Sequence, residues 1–110
     1  MRKITIESVD AFAHGDNLSK QNMVIETIRQ PHLITTEMYL HGNLIACINQ
    51  LSGKITINDA GWQTTTTKER LNGILDYYNL GKLYQKQWQW YLINNEWEKQ
   101  KFNWELSFNV

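Results

Sequence analysis

Between Thr35 and Asn58 the chain alternates polar and apolar residues on both sides of a Gly42-Asn43 pair. Successive side chains of a strand point to opposite faces, so the apolar set must stay on one face and few registers allow it. A two-residue turn on Gly42-Asn43, with glycine supplying positive φ, opposes His41 to Leu44, Tyr39 to Ala46 and Glu37 to Ile48. Met38, Leu40, Ile45 and Cys47 then share a face, which is predicted to be core. Leu51-Ser52-Gly53 turns the chain into Lys54-Ile55-Thr56-Ile57-Asn58, so 35–58 reads as a three-stranded meander.

Other segments carry their own periodicity. Residues 7–14 read as a short helix with Ser8 as N-cap, Val9, Phe12 and Ala13 on one face and Gly15 as the stop. Residues 16–21 are expected to be loop, and 23–28 a strand rich in β-branched residues. The main helix is predicted over 66–80. Thr66-Thr67-Lys68-Glu69 has the capping-box pattern, Leu71, Ile74, Leu75 and Tyr78 form an apolar stripe, and Gly81 suits the left-handed position after the helix. Gly73 inside it costs about 1 kcal/mol relative to alanine and marks a close approach, expected against the sheet.

Beyond the helix, Tyr84, Lys86, Trp88, Trp90 and Leu92 alternate with Gln85, Gln87, Gln89 and Tyr91. Asn94-Asn95 is a turn candidate, and alternation returns at Phe102, Trp104, Leu106, Phe108 and Val110. The expected fold class is α+β: an antiparallel sheet, built from the meander and aromatic-rich C-terminal strands, closed by one main helix and a short N-terminal one. With 110 residues, no repeat and one proline, Pro31, residues 1–110 read as a single domain.

Composition narrows the function by exclusion. Lys+Arg and Asp+Glu both number 11, so the chain has neither the basic excess of a duplex binder nor the acidity of a DNA mimic. The lone Cys47 excludes an internal disulfide and, on a core face, would be inert. His14, His32 and His41 are isolated, so no metal site or cofactor is expected, and glycine spacing matches no phosphate loop. No serine has an elbow-like glycine context, and no carboxylate pair stands out for acid–base work. The expectation is a non-enzymatic protein. Acids interrupt the segment after Met1-Arg2-Lys3, and no window reaches a membrane span, so a cytoplasmic location is expected.

One polar segment could carry a contact. Trp62, Thr64, Thr65, Thr66, Thr67, Lys68 and Arg70 lead into a helix N-terminus. Hydroxyls, free backbone N–H groups and two cations at the positive end of a helix dipole can hold an anion, with Trp62 as a stacking surface for a base. The plainer alternative gives the threonines to capping, Trp62 to the core and both cations to solvent.

Leu40-His41-Gly42-Asn43-Leu44-Ile45-Ala46 and the run from Gly61 to Asn72 resemble small uncharacterised proteins encoded by tailed bacteriophages and prophages. Val9-Asp10-Ala11-Phe12, Tyr84-Gln85-Lys86 and Trp90-Tyr91 extend the resemblance over residues 8 to 92. It implies expression in an infected bacterial cytoplasm and carries over no catalytic residue. Two functions follow as expectations: an accessory protein that binds a host or defence-system protein, or one that binds a nucleotide or short nucleic acid, including sequestration of a signalling nucleotide. Abundant Trp, Tyr and Asn favour the first, the segment from Trp62 to Arg70 the second. An aromatic strand at 102–108 also offers an edge to a second copy, a homodimer.

Overall fold

The structure is a computed structural model that describes residues 1–110. Its elements are α1 (Lys3–His14), β1 (Leu18–Lys20), β2 (Met23–Gln30), β3 (Leu33–Leu40), β4 (Asn43–Asn49), β5 (Lys54–Asn58), α2 (Thr65–Tyr77), β6 (Lys82–Lys86), β7 (Gln89–Ile93), β8 (Lys99–Lys101) and β9 (Glu105–Asn109). A six-stranded antiparallel sheet runs β1-β2-β3-β4-β5-β9, and a three-stranded one runs β6-β7-β8. The α+β class and the meander β3-β4-β5 agree with the sequence reading. No helix is long and apolar enough to cross a membrane.

α1 packs on β1, β2 and β3, and α2 packs on α1, β4 and β6, so both helices cover one face of the large sheet. That face supplies Met23, Ile25, Met38, Ile48, Ile55 and Ile57 to the core. The opposite face carries Glu26, Glu37, Cys47, Thr56 and Ser107 side by side in register across five strands, and none of these is buried.

The helices begin and end differently from the sequence reading. α1 starts at Lys3, four residues before the expected start, and Ser8 is not its cap but a fully buried residue on its inner face. The β-branched run Ile4-Thr5-Ile6 disguises the first turn. Burial of Ile4, Thr5, Val9 and Phe12 on a common stripe overrides that propensity. Gly15 does end the helix, in the left-handed region at φ 71°. α2 is capped by Thr64, whose hydroxyl accepts from the Thr67 N–H at 3.1 Å, so Thr66 and Glu69 form no capping box. Its far end closes on Asn79 rather than Gly81: Asn79 has φ 57°, and the Leu80 N–H reaches the Leu75 carbonyl at 2.8 Å. Gly73 marks a close approach, but to α1 and not to the sheet. A Cβ there would lie 2.7 Å from Thr5 Cγ2 and 3.0 Å from Val9 Cγ2.

The β3–β4 register also departs from expectation. The turn is His41-Gly42, with φ 50° and 80°. It pairs Leu40 with Asn43 and Tyr39 with Leu44. A bulge then inserts Ile45, so that Met38 pairs with Ala46, Glu37 with Cys47 and Thr36 with Ile48. One extra residue reverses which side chains face inward. Ile45, Ala46 and Ile48 are therefore buried, and Cys47 lies on the open face beside Glu37 instead of in the core. The expected 16–21 loop contains the short β1. The alternating run from Tyr84 to Leu92 is broken by a hairpin turn at Gln87-Trp88. The C-terminal segments divide: β7 and β8 complete the small sheet, whereas β9 joins β5.

The open face makes the fold sensitive to alkali. Burial, then Glu37, raises the pKa of the Cys47 thiol, and the same two causes in the same order raise that of the Tyr39 hydroxyl, which donates to Glu37 Oε1 at 3.2 Å. Both groups are neutral when protonated, so the folded chain holds their protons more tightly than the unfolded one. The stability they contribute is present below their ordinary values of 9.0 and 10.0 and is lost as pH rises through the raised ones. The melting temperature is expected to fall above about pH 9, and the double variant Tyr39→Phe/Cys47→Ala should flatten that fall. Identical alkaline slopes for both proteins would refute the assignment.

Candidate functional site

The loop from Asn58 to Thr64 is built around Asp59, which is buried. Its N–H donates to the Trp104 carbonyl at 3.0 Å, and its own carbonyl accepts from the Trp62 N–H at 2.9 Å. Its carboxylate accepts from the Gly61 N–H at 2.8 Å and from Gln63 Nε2 at 3.1 Å. The last three bonds are local and bring the chain out of β5 and up to the start of α2; the first ties the loop to the segment before β9. The pattern Asn58-Asp59-Ala60-Gly61 is an Asx-turn signal, which would have pointed to this residue from the sequence.

Beside this loop lies a cavity of about 380 Å3. Trp62, Thr64, Thr66 and Thr67 line it from the α2 side; Leu40, His41, Asn43 and Ile45 line it from the β3–β4 hairpin. The bulge matters here, because the inserted Ile45 gives the cavity part of its apolar wall. Sequence reasoning missed the hairpin residues and Asp59 as site components. Hairpin and helix start are about twenty residues apart, and only the sheet brings them together.

The expected site residues divide into three groups. Trp62, Thr64, Thr66 and Thr67 meet at the cavity, although Thr64 is committed to capping. Thr65 is exposed at the first turn and does not line it. Lys68 and Arg70 are not part of the wall. Arg70 is 1% exposed, and its Nη1 donates to Thr5 Oγ1 at 2.8 Å and to Glu69 Oε1 at 2.6 Å. Thr5 also donates to Glu69. Burial lowers the pKa of the guanidinium, with Glu69 opposing and Arg2 adding to the effect. Arg70 ties α2 to α1. The reading of Arg70 as an anion ligand is thereby corrected: its side chain turns inward because the seam between the helices offers a carboxylate and a hydroxyl.

The wall therefore carries no lysine or arginine, and its fixed charge is the Asp59 carboxylate. Unpaired N–H groups at the start of α2 favour an acceptor, as at any helix N-terminus. Chemically the cavity suits an apolar group with one or two hydrogen-bonding atoms. No group of three or more His, Cys, Asp or Glu side chains is placed to hold a metal ion.

Four of the five tryptophans lie outside the core: Trp62, Trp88, Trp97 and Trp104 are 64%, 82% or more, and 60% exposed in the case of the first, the middle pair and the last. Trp88 forms the tip of the β6–β7 hairpin. Trp88, Trp97 and Trp104 also have positive φ, at 68°, 64° and 94°. That conformation is costly for a bulky residue, on the order of 1–3 kcal/mol. Hydrogen bonds link the segments that carry three of the four. Trp104 and Trp62 are both joined to Asp59, and Gln89, next to Trp88, donates to Asn103 Oδ1 at 3.2 Å. Trp97 stands apart, in the β7–β8 turn.

A family model described as Kyanoviridae Gp96 protein matches residues 1–109. The match bears out the resemblance to phage proteins. No curated protein and no solved structure matches the chain.

Proposed function

The chain belongs to the Kyanoviridae Gp96 protein family, a phage family, and from that premise we propose an accessory protein that binds a host or defence-system protein through the exposed Trp62 and Trp88. The proposed activity is binding alone, without catalysis. One observation carries the reading: large aromatic side chains stand in water, and Trp88 does so on a left-handed backbone. Solvation and backbone strain both disfavour that state, and the isolated fold returns no packing for it. A partner surface would supply the packing, as tryptophan anchors do at interface centres. The cavity beside Trp62 would accept a largely apolar side chain of that partner that carries one polar N–H or O–H for Asn43 Oδ1 or the Asp59 carboxylate.

The test is affinity capture from phage-infected cells with the wild-type chain and with Trp62→Ala/Trp88→Ala. The wild type is expected to retain one stoichiometric protein. The double variant should bind it at least roughly 30-fold more weakly, the equivalent of about 2 kcal/mol. Its melting temperature should be unchanged, because both side chains are exposed. Capture of nothing, or equal capture by both chains, would sink the proposal.

A second reading, retention of a small nucleotide or short nucleic acid, draws on Trp62 and Thr66 at the cavity wall by the α2 N-terminus. The inward-turned Arg70 and the Asp59 carboxylate weigh against it. A chain that purifies from bacteria with a few hundred daltons of nucleotide, as seen by native mass spectrometry, would replace the first reading with this one.

A further inference from the structure

Two sheets have four edges, and three of them are blocked. β1 is three residues long and carries Lys20, which is tied to Glu7 at 2.9 Å. Beyond β1, the Thr27 N–H of β2 is taken by Asn17 Oδ1 at 2.9 Å. β6 is clamped by Asn72 of α2, which accepts from the Leu83 N–H at 2.7 Å and donates to its carbonyl at 3.1 Å. β8 is the three-residue strand Lys99-Gln100-Lys101, and short strands with lysines resist pairing. β9 has none of these devices. Its five residues, Glu-Leu-Ser-Phe-Asn, contain one charge, no lysine and no proline.

The β5–β9 ladder shows which groups are free. Asp59 donates to the Trp104 carbonyl and Val110 to the Gly53 carbonyl, at 3.0 and 3.1 Å. With the register of the pair, these bonds direct the backbone groups of Leu106 and Phe108 toward β5. Antiparallel ladders alternate, so Glu105, Ser107 and Asn109 point their N–H and C=O groups away from the sheet.

We infer that this free edge of β9 pairs antiparallel with the β9 edge of a second copy, about a two-fold axis at Ser107. That register uses every outward-facing group of the strand: Ser107 meets Ser107 of the second copy, and Glu105 meets its Asn109. On the core side, half-buried Leu106 meets Phe108 of the second copy, and exposed Trp104 comes opposite its Val110. The edge thus sets its one carboxylate against a neutral amide and its apolar side chains against each other. A two-fold axis at Glu105 would instead set that carboxylate against its own copy, and one at Leu106 would leave Asn109 unpaired within the strand. The result is one continuous twelve-stranded sheet. The pairing uses Trp104 but neither Trp62 nor Trp88, the two residues on which the partner proposal is tested, so each test reads its own idea.

The experiment is sedimentation of the full chain at micromolar concentration, together with residue-resolved amide exchange, on the wild type, Ser107→Pro and Ser107→Lys. The Ser107 N–H faces away from β5, so proline removes an intermolecular donor and keeps the ladder within the chain. Lysine keeps the N–H and sets like charges against each other at the axis. The wild type is expected to sediment at twice the 13.0 kDa chain mass, with slow exchange at Glu105, Ser107 and Asn109. Both variants should sediment at the single-chain mass, with those amides fast and Leu106 and Phe108 still slow. A wild type of single-chain mass overturns the inference and leaves β9 to a strand of another protein. A dimer whose outward amides exchange fast, or one that survives in both variants, also overturns it.

Discussion

Replacing Arg70 by alanine is expected to destabilise the fold by about 3–5 kcal/mol, the scale seen when one member of a buried ion pair is removed. The guanidinium is 1% exposed and holds Glu69 and Thr5 in the seam where α1 and α2 meet. Without it, the Glu69 carboxylate keeps only the Thr5 hydroxyl, and a cavity opens beside the Gly73 contact. Glu69 is 29% exposed, so water recovers part of its solvation and the lower end of the range applies. Lys68→Ala, two residues before Arg70 and without a side-chain hydrogen bond or ion pair, should change stability by no more than about 0.5 kcal/mol. Urea denaturation at neutral pH separates the two. If Arg70→Ala costs less than about 1 kcal/mol, the guanidinium is free for a ligand, and the anion-binding reading regains its cation.

Trp90→Ala should cost a similar amount, about 3–5 kcal/mol, and Trp90→Phe less than half of it. Trp90 is 1% exposed, its ring centroid lies 5.9 Å from that of Phe102, and its carbonyl accepts from the Phe102 N–H at 2.9 Å. It joins β7 to the segment that leads into β9, so truncation loosens both sheets. Its indole Nε1 is buried without an acceptor. A buried unpaired donor costs about 1–3 kcal/mol, which phenylalanine relieves while keeping most of the ring packing. Thermal and urea unfolding of both variants give the comparison. Equal losses for alanine and phenylalanine would mean that Nε1 contributes a hydrogen bond after all.

Some of the fold is legible from local pattern, and the exceptions have identifiable causes. β2, the meander strands and the stripe Leu71, Ile74, Leu75 follow from periodicity that tertiary contacts did not disturb. The first turn of α1 is hidden by the β-branched run Ile4-Thr5-Ile6, and Ser8 resembles a cap because polarity alone does not distinguish an exposed hydroxyl from one buried against another helix. The same ambiguity misassigned Arg70, whose partner Thr5 is 65 residues away. For the candidate site, the stretch from Trp62 to Thr67 was found because helix capping is a local signal. The opposite wall, on the β3–β4 hairpin, has no local signature.

Periodicity and turn residues therefore determined the element types and the α+β class. These properties depend on neighbours within a few residues, where backbone geometry links sequence to structure directly. Only the tertiary structure decided that Ile45 is inserted, that Cys47 faces out, that Arg70 faces in, and that β9 rather than another strand is left as an open edge. Each of those outcomes depends on a contact between segments far apart in the chain. A shift of one residue in pairing or a carboxylate from another helix reverses the result, and local sequence carries no record of either.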